Sequence, residues 1–445
     1  MQNLFGTDGV RGVANRELTP EMAFRIGRIC AYLMKQKGEH SFSLVGKDTR
    51  RSGDMLEGAL IAGICSSGMD VRCLGVLSTP AVAFLTRELK AAAGVIISAS
   101  HNPIEDNGLK IFSSTGFKIS DQTEKEIEQI LAREDELPRP EGGEIGRVTE
   151  NGETLEIYLE SLRKIAPDLS GMHVAMDCGH GAVYSIAPEL FRSLGAQVTV
   201  LNNEPNGVNI NVDCGSTDPS QLQQVVKESG ASLGLAFDGD ADRLIAVDEK
   251  GEIVDGDVLM LLFSLYMMKN QQLKENTLVA TIMSNGGLDI AAEQNGFRVV
   301  RAPVGDRFVL EKMVEGGYNL GGEQSGHIIF SDYCTTGDGV LTALQLSRIL
   351  KEEGKNLSDY SSSFNRLPQV VSSCKVSRKE GWEEITSFQK ALQKTYDQIG
   401  PYGRVLIRPS GTEPKMRIMV EGEKDEEELK SLAAELSEIL SKELN

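Results

Sequence analysis

Four short stretches of the chain carry reactive or ligating side chains at points where the backbone is free to turn. In SASHNP, Ser98 to Pro103, two hydroxyls, an imidazole and Asn102 follow the apolar run GVII. A serine hydroxyl is a weak nucleophile until a base, a metal or a phosphate already attached to it supplies the driving force. His101 is a candidate for that base. Neighbours in a strand point to opposite faces, so a contact between Ser100 and His101 requires the chain to turn between them. A plain turn with side chains bonded to backbone accounts for the same residues.

The second stretch, DGDADR, alternates Asp238, Asp240 and Asp242 with Gly239 and Ala241. If the loop curls, three carboxylates converge on one hard cation. A calcium loop of the EF-hand type is the obvious rival, and twelve residues from Asp238 do end on an acid, Glu249. The sixth position, however, is Arg243 where that loop needs glycine, and the flanks ASLGLAF and LIAVD read as strands, not helices. A strand-turn-strand site for Mg²⁺ shared with a phosphate fits better, with Arg243 left to contact the phosphate.

In NLGGEQSGHIIF, Gly321, Gly322 and Gly326 should let the backbone approach a ligand, while Glu323, Ser325 and His327 form a set suited to sugar hydroxyls. A hairpin turn explains the same stretch equally well. In IRPSGTEPKMR, Arg408, Ser410, Gly411, Thr412 and Arg417 combine guanidinium, hydroxyl and backbone donors, the set that binds a phosphate dianion.

The balance of 46 basic against 65 acidic residues leaves a net charge of -19, which excludes nucleic acid and anionic membrane as principal partners. Against that field, Arg11, Lys47, Arg50, Lys110, Arg243, Arg408, Lys415 and Arg417 all lie in or beside glycine-bearing loops. The grouping points to a phosphorylated small molecule. The seven cysteines form no CxxC pair and read as reduced, mostly buried thiols. There is no basic segment leading into an apolar core at the start, and no run of the roughly 18 apolar residues of a membrane span, so a cytoplasmic location is expected.

These loops need elements to hold them. Thr19-Pro20 opens a helix with Ala23, Ile26, Ile29 and Leu33 at helical spacing, closed by Gly38. Short apolar strands such as FSLVG, AAGVIIS, MHVAMD and TLVATIM then alternate with helices, including Ser52 to Gly68, Gly181 to Leu194, Ser220 to Ser229 and 337 to 352. That alternation predicts α/β units, in which ligands bind beyond the carboxyl ends of the strands. DELPRPEGGE, 135 to 144, reads as a linker after the first unit. After residue 365 the pattern changes to a helix (380–398), two strands and a charged helix (424–442), a small α+β domain. The expected boundaries are 1–144, 145–250, 251–365 and 366–445.

Taken in order, and with FGTDGVRG near the start, the four stretches resemble the α-D-phosphohexomutase superfamily over nearly the whole chain. SASHNP resembles its phosphoserine loop, DGDADR its magnesium loop, GGEQSGH its sugar-recognition loop and RPSGTEPKMR its phosphate-binding loop. Gln324 and Gly411 resemble the glucosamine-phosphate branch, whereas Ala241 stands where that branch usually has glycine, and Pro409 is a second departure. The resemblance implies three α/β domains with mixed sheets and a C-terminal α+β domain around a central active-site cleft. It implies a phosphate on Ser100, Mg²⁺ held by that group with Asp238, Asp240 and Asp242, and Arg11, Lys110 and Arg243 around the transferring phosphoryl group. Lys110 or His101 would carry the proton. Glu323, Ser325 and His327 would hold the sugar, and Arg408, Ser410, Gly411, Thr412 and Arg417 its second phosphate. A sugar 1,6-bisphosphate would serve as intermediate and activator, and a homodimer is compatible with the pattern. Mannose or glucose phosphates are the nearest rival substrates, and a non-catalytic sugar-phosphate-binding protein is the rival of another class. A serine hydrolase is disfavoured because no GxSxG elbow surrounds Ser100.

Overall fold

The computed structural model describes residues 4–6, 8–38, 42–150, 154–409 and 414–445. It divides into two compact units, Met1–Met283 with Val300–Ser361, and Ser284–Val299 with Ser362–Asn445.

The first sheet has seven strands in the order Phe5–Gly6, Gly9–Val13, Asp106–Ser113, Ala93–Ile97, Phe42–Lys47, Asp70–Val76 and Val148–Glu150. The strands from Phe5–Gly6 to Ala93–Ile97 pair antiparallel, and those beyond pair parallel. Antiparallel pairing needs no crossover, so Ala93–Ile97 returns as Asp106–Ser113 through the short loop that carries Ser98 to Pro103. Thr19 caps the helix Pro20–Gln36 by accepting from the Met22 amide, as its sequence predicts. Ala23, Ile26 and Ile29 of that helix and Leu56, Leu60 and Ile64 of Ser52–Ser66 share one core with Val45, Val95, Ile97 and Ile111 of the sheet. Burying each Leu or Ile side chain stabilises the fold by roughly 1.5–3 kcal/mol.

The start of the segment 135–144 is tied to the first core: Arg28, 1% exposed, donates through Nε to Asp135 Oδ2 (2.8 Å) and through Nη2 to the Leu137 carbonyl (2.7 Å). A buried guanidinium must find acceptors, and this segment provides them. The first sheet also runs past residue 144, because Val148–Glu150 pairs with Asp70–Val76.

The second sheet runs Ile253–Val254, Leu244–Val247, Leu233–Phe237, His173–Asp177, Gln197–Leu201, with Ser220–Ser229 the helix predicted. The helix expected from Gly181 shrinks to Ile186–Ser193. The residues before it turn through His180 at φ +49° and give the Ala182 amide to the Gly239 carbonyl, which supports the acidic turn. The third sheet has the order Arg298–Ala302, Thr277–Thr281, Leu320–Gly322, Ile328–Phe330. The strands Leu320–Gly322 and Ile328–Phe330 form an antiparallel hairpin.

The last sheet is antiparallel, in the order Gln369–Lys375, Lys415–Glu421, Arg404–Pro409. Met416, Ile418 and Val420 face the helices Thr386–Tyr396 and Glu426–Glu443, against Phe388, Leu429 and Leu436. Sequence reading misses the strand Gln369–Lys375, because QVVSSCK buries only Cys374 and shows no apolar alternation. Six of the seven cysteines are buried, Cys73 being the half-buried one. Among the described residues, no helix is long and apolar enough to cross a membrane.

Candidate active site

Three of the four predicted loops meet in the larger unit, each leaving the end of a strand. Ser100 adopts φ +52°, the turn that a contact with its neighbour requires, and its Oγ lies 3.2 Å from His101 Nδ1. The same hydroxyl donates to Asp238 Oδ2 at 2.5 Å. Asp238 opens the turn between the antiparallel strands Leu233–Phe237 and Leu244–Val247, and Ala241 in that turn also takes a left-handed φ, +54°. Glycine adopts such a backbone without strain, whereas a residue with Cβ pays about 1 kcal/mol. Gly239 is required for a different reason: a Cβ there would sit 2.7 Å from the Ser100 carbonyl oxygen.

The carboxylates of Asp238, Asp240 and Asp242 are buried, and one oxygen of each lies within 4.8 Å of the others. Oδ1 of Asp240 and of Asp242 has no hydrogen-bond partner among the described residues. Converging, anionic oxygen donors with buried lone pairs unsatisfied are what a hard divalent cation binds. Burial and repulsion from Asp242 and Asp240 push the Asp238 carboxyl well above its ordinary range. For Asp242 burial acts in the same direction, but Lys110 and His327 outweigh it and hold the group ionised.

Lys110, itself buried, places Nζ 2.9 Å from Asp240 Oδ2, 3.1 Å from Asp242 Oδ2 and 3.0 Å from Asp8 Oδ2. Burial would remove its proton, yet these carboxylates raise its pKa and keep the ammonium charged. His101 moves the other way. Burial, then the charges of Arg243 and Arg11, lower it to about 4, so its ring is neutral near pH 7. Arg11 bonds to Asn102 Oδ1 (3.2 Å) and pairs with Asp8. Arg243 gives its backbone amide to Asp238 Oδ1 (3.2 Å), and its Nε lies 3.7 Å from Asp242 Oδ1.

The hairpin Leu320–Gly322 to Ile328–Phe330 supplies the third loop. His327 Nδ1 faces Asp242 Oδ1 at 3.6 Å, and its Nε2 accepts from the Gly337 amide at 3.0 Å. Burial lowers the His327 pKa, but Asp242, Asp306 and Glu323 raise it further, for a net upward shift. Glu323 accepts from the Gly305 amide (3.1 Å), and the Ser325 hydroxyl is buried without a hydrogen-bond partner among the described residues. The glycines of this loop do not open it to a ligand, as their sequence suggested. A Cβ at Gly326 would meet the Leu244 carbonyl oxygen at 2.1 Å, and one at Gly321 the Met313 sulfur at 2.6 Å. They let the hairpin lie against protein.

Two predicted cations also face protein. Lys47 pairs with Asp54 and Glu57, and Arg50 pairs with Asp48 in the interior. In the smaller unit, Arg408 and Arg417 are exposed and directly opposite each other on adjacent antiparallel strands. Ser410, Gly411 and Thr412 lie outside the described residues.

Sequence reasoning missed Asp8, which joins Arg11, Lys110 and Lys118, and Thr79, whose hydroxyl donates to Asp240 Oδ2 at 2.5 Å. Both had a signal. Asp8 precedes Arg11 by three residues in FGTDGVRG, and Ser78-Thr79 closes a strand as Ser98 to Ser100 does.

Buried acidic oxygens, a serine bonded to one of them and surrounding cations define a phosphoryl-transfer site on a four-domain α/β scaffold. Models of phosphoglucomutase/phosphomannomutase α/β/α domains I, II and III match residues 2–138, 156–251 and 255–367, and the C-terminal domain model matches 373–439. A protein of Symbiobacterium thermophilum named phosphoglucosamine mutase is 51% identical over 447 residues, covering 100% of both chains. One of Bacillus cereus with the same name is 52% identical over 423 residues, covering 95% of this chain and 94% of its own. A crystal structure of a phosphoglucomutase/phosphomannomutase family protein from Burkholderia thailandensis superposes with a TM-score of 0.83 at 23% identity, covering 99% of this chain and 98% of its own. The chain belongs to the phosphoglucomutase/phosphomannomutase family.

Proposed function

We propose that this enzyme interconverts glucosamine 6-phosphate and glucosamine 1-phosphate by passing a phosphoryl group through Ser100. The observation that carries the reading is the Ser100 hydroxyl 2.5 Å from Asp238, inside a buried acid cluster ringed by Lys110, Arg243 and Arg11. Near full-length relatives named phosphoglucosamine mutase support the amino-sugar substrate.

Ser100 starts as a phosphate ester. The bond from Oγ to phosphorus breaks, a bond from phosphorus to the sugar O1 forms, and the O1 proton leaves to a base as Oγ regains one. The product is the 1,6-bisphosphate. After the sugar turns, Ser100 Oγ takes the phosphoryl group from O6, leaving glucosamine 1-phosphate. Mg²⁺ held by Asp238, Asp240 and Asp242 would supply neutralisation of the charge that spreads over the transferring oxygens. Lys110, kept protonated by its three carboxylates, places a fixed positive charge beside them. Two proton acceptors are within reach when Ser100 attacks, Asp238 Oδ2 at 2.5 Å and the neutral His101 ring at 3.2 Å from Oγ. Glu323 and Ser325 hold sugar hydroxyls, while His327, whose two ring nitrogens face Gly337 and Asp242, orients the acidic turn instead of touching the sugar; Arg408 and Arg417 hold the phosphate that is not reacting.

The test is a mutase assay with Mg²⁺ and a bisphosphate activator on glucosamine, glucose and mannose 6-phosphates. The highest kcat/KM is expected for glucosamine 6-phosphate, and a preference for either other sugar overturns the substrate assignment. Ser100→Ala should lower kcat by on the order of 10³-fold or more with the fold retained by circular dichroism.

A further inference from the structure

The geometry points to a clamp, built from Asp48, Arg50, Ser98 and Asn211, that holds the Ser100 backbone in its left-handed conformation and so fixes the position of the phosphoryl-carrying oxygen. This rests on the phosphoserine reading of the site and adds positioning residues to it.

A non-glycine residue at φ +52° is strained and persists only where its surroundings dictate it. At Ser100 both backbone groups are held. Its amide donates to Ser98 Oγ at 2.9 Å, and the Ser98 hydroxyl donates in turn to Asp48 Oδ2 at 2.6 Å. Asp48 also accepts from Arg50, through the backbone amide at 2.9 Å and Nε at 3.0 Å. Arg50 Nη2 then returns to the Ser100 carbonyl at 2.9 Å, which closes a ring from the serine's C=O back to its own N–H. The same guanidinium bonds to the carbonyls of Asn102 and Pro103.

A second donor reaches the Ser100 carbonyl from the loop that follows the strand Gln197–Leu201 of the second sheet: Asn211 Nδ2, at 2.8 Å. Asp48, Arg50, Ser98 and Ser100 are each no more than 2% exposed, so no water competes for these bonds. The fixed fork of an arginine suits this task, because one planar group can serve a carboxylate and three carbonyls at once. None of the clamp residues is among those assigned to the sugar or to its second phosphate. Their effect is on Oγ, which must serve as donor and as acceptor of the phosphoryl group from one position. A displacement of about 1 Å at such an atom costs on the order of 10²-fold in rate.

Arg50→Lys, which keeps the charge and loses the fork, and Asn211→Asp, which turns a donor into an acceptor, test the clamp in the full-length enzyme. Phosphoryl transfer from glucose 1,6-bisphosphate to Ser100 is followed by intact mass, and mutase turnover with glucosamine 6-phosphate is measured in parallel. Transfer and kcat are expected to fall about 10²-fold for Arg50→Lys and about tenfold for Asn211→Asp. KM and the Mg²⁺ concentration for half-maximal rate should stay within about twofold, which a general loss of structure at the site would not permit. Transfer rates within twofold of wild type, or a raised KM with kcat preserved, overturn the clamp. If Arg50→Lys does not fold, the Asn211→Asp result decides alone. Wild-type enzyme that phosphorylates Ser100 without turning over glucosamine 6-phosphate contradicts the substrate assignment, and the transfer rates of the variants still judge the clamp.

Discussion

The acidic turn of the larger unit and the arginine pair of the smaller one both set like charges side by side, but under opposite conditions. Asp238, Asp240 and Asp242 are out of water, where two carboxylate oxygens have no hydrogen-bond partner among the described residues and the pKa of Asp238 is driven up. Arg408 and Arg417, exposed side chains, stand opposite each other on adjacent strands, where like charges directly opposite destabilise a sheet by a few tenths of a kcal/mol to about 1 kcal/mol. Crowded like charge makes each place attractive to an ion of the opposite sign, and burial sets how strongly: a dehydrated acid cluster should bind a cation tightly, while a solvated arginine pair should bind a phosphate more loosely.

The largest effect should come from the buried cluster. Asp240→Asn is expected to raise the Mg²⁺ concentration for half-maximal activity roughly 10²-fold, since even outer partners of metal ligands cost 10–100-fold. It should also abolish the rise in Tm that Mg²⁺ gives the wild type by binding the folded state. An unchanged Mg²⁺ response would remove the metal from this turn. Arg417→Ala should act more mildly, raising KM for the sugar phosphate about tenfold through loss of one charge-assisted bond, with kcat within threefold. A fall in kcat at unchanged KM would place Arg417 in the chemistry instead. Salt gives the smallest effect. Raising ionic strength from about 0.05 to 0.3 M should increase KM roughly twofold to fivefold by screening the exposed pair, and leave kcat, set by buried groups, nearly constant. Equal sensitivity of both constants would erase the distinction.

What the sequence disclosed follows the same division. Residues whose placement is local lie where the sequence puts them: Ser100 follows the strand Ala93–Ile97, and the alternating aspartates follow Leu233–Phe237. Thr19 and Ser220 mark helix starts that the structure keeps within a residue. What pairing across the chain decides was not found. Arg50 looked like a ligand for phosphate because its counter-ion and the carbonyls it serves depend on how the loops fold together. Gly326 looked like room for a substrate, since the Leu244 backbone that fills the room lies 82 residues away in the chain. The strand Gln369–Lys375 was hidden because a sheet with one open face needs few apolar residues there.

The packing of Gly326 bears on the turn the sugar must make between its two reactions. Leu244 gives its amide to the Gly326 carbonyl, Gly256 to that of Gln324 and Gly339 to that of Ala241, each at 3.0 Å. The first of these bonds ties the hairpin to the strand that leaves the acidic turn, and the other two anchor hairpin and turn to the helices Gly256–Lys269 and Gly339–Glu353. On the proposed reading the half-rotation falls to the bisphosphate itself. The pocket's occupant must come loose from the hairpin, invert and be gripped again by the same residues from the other end.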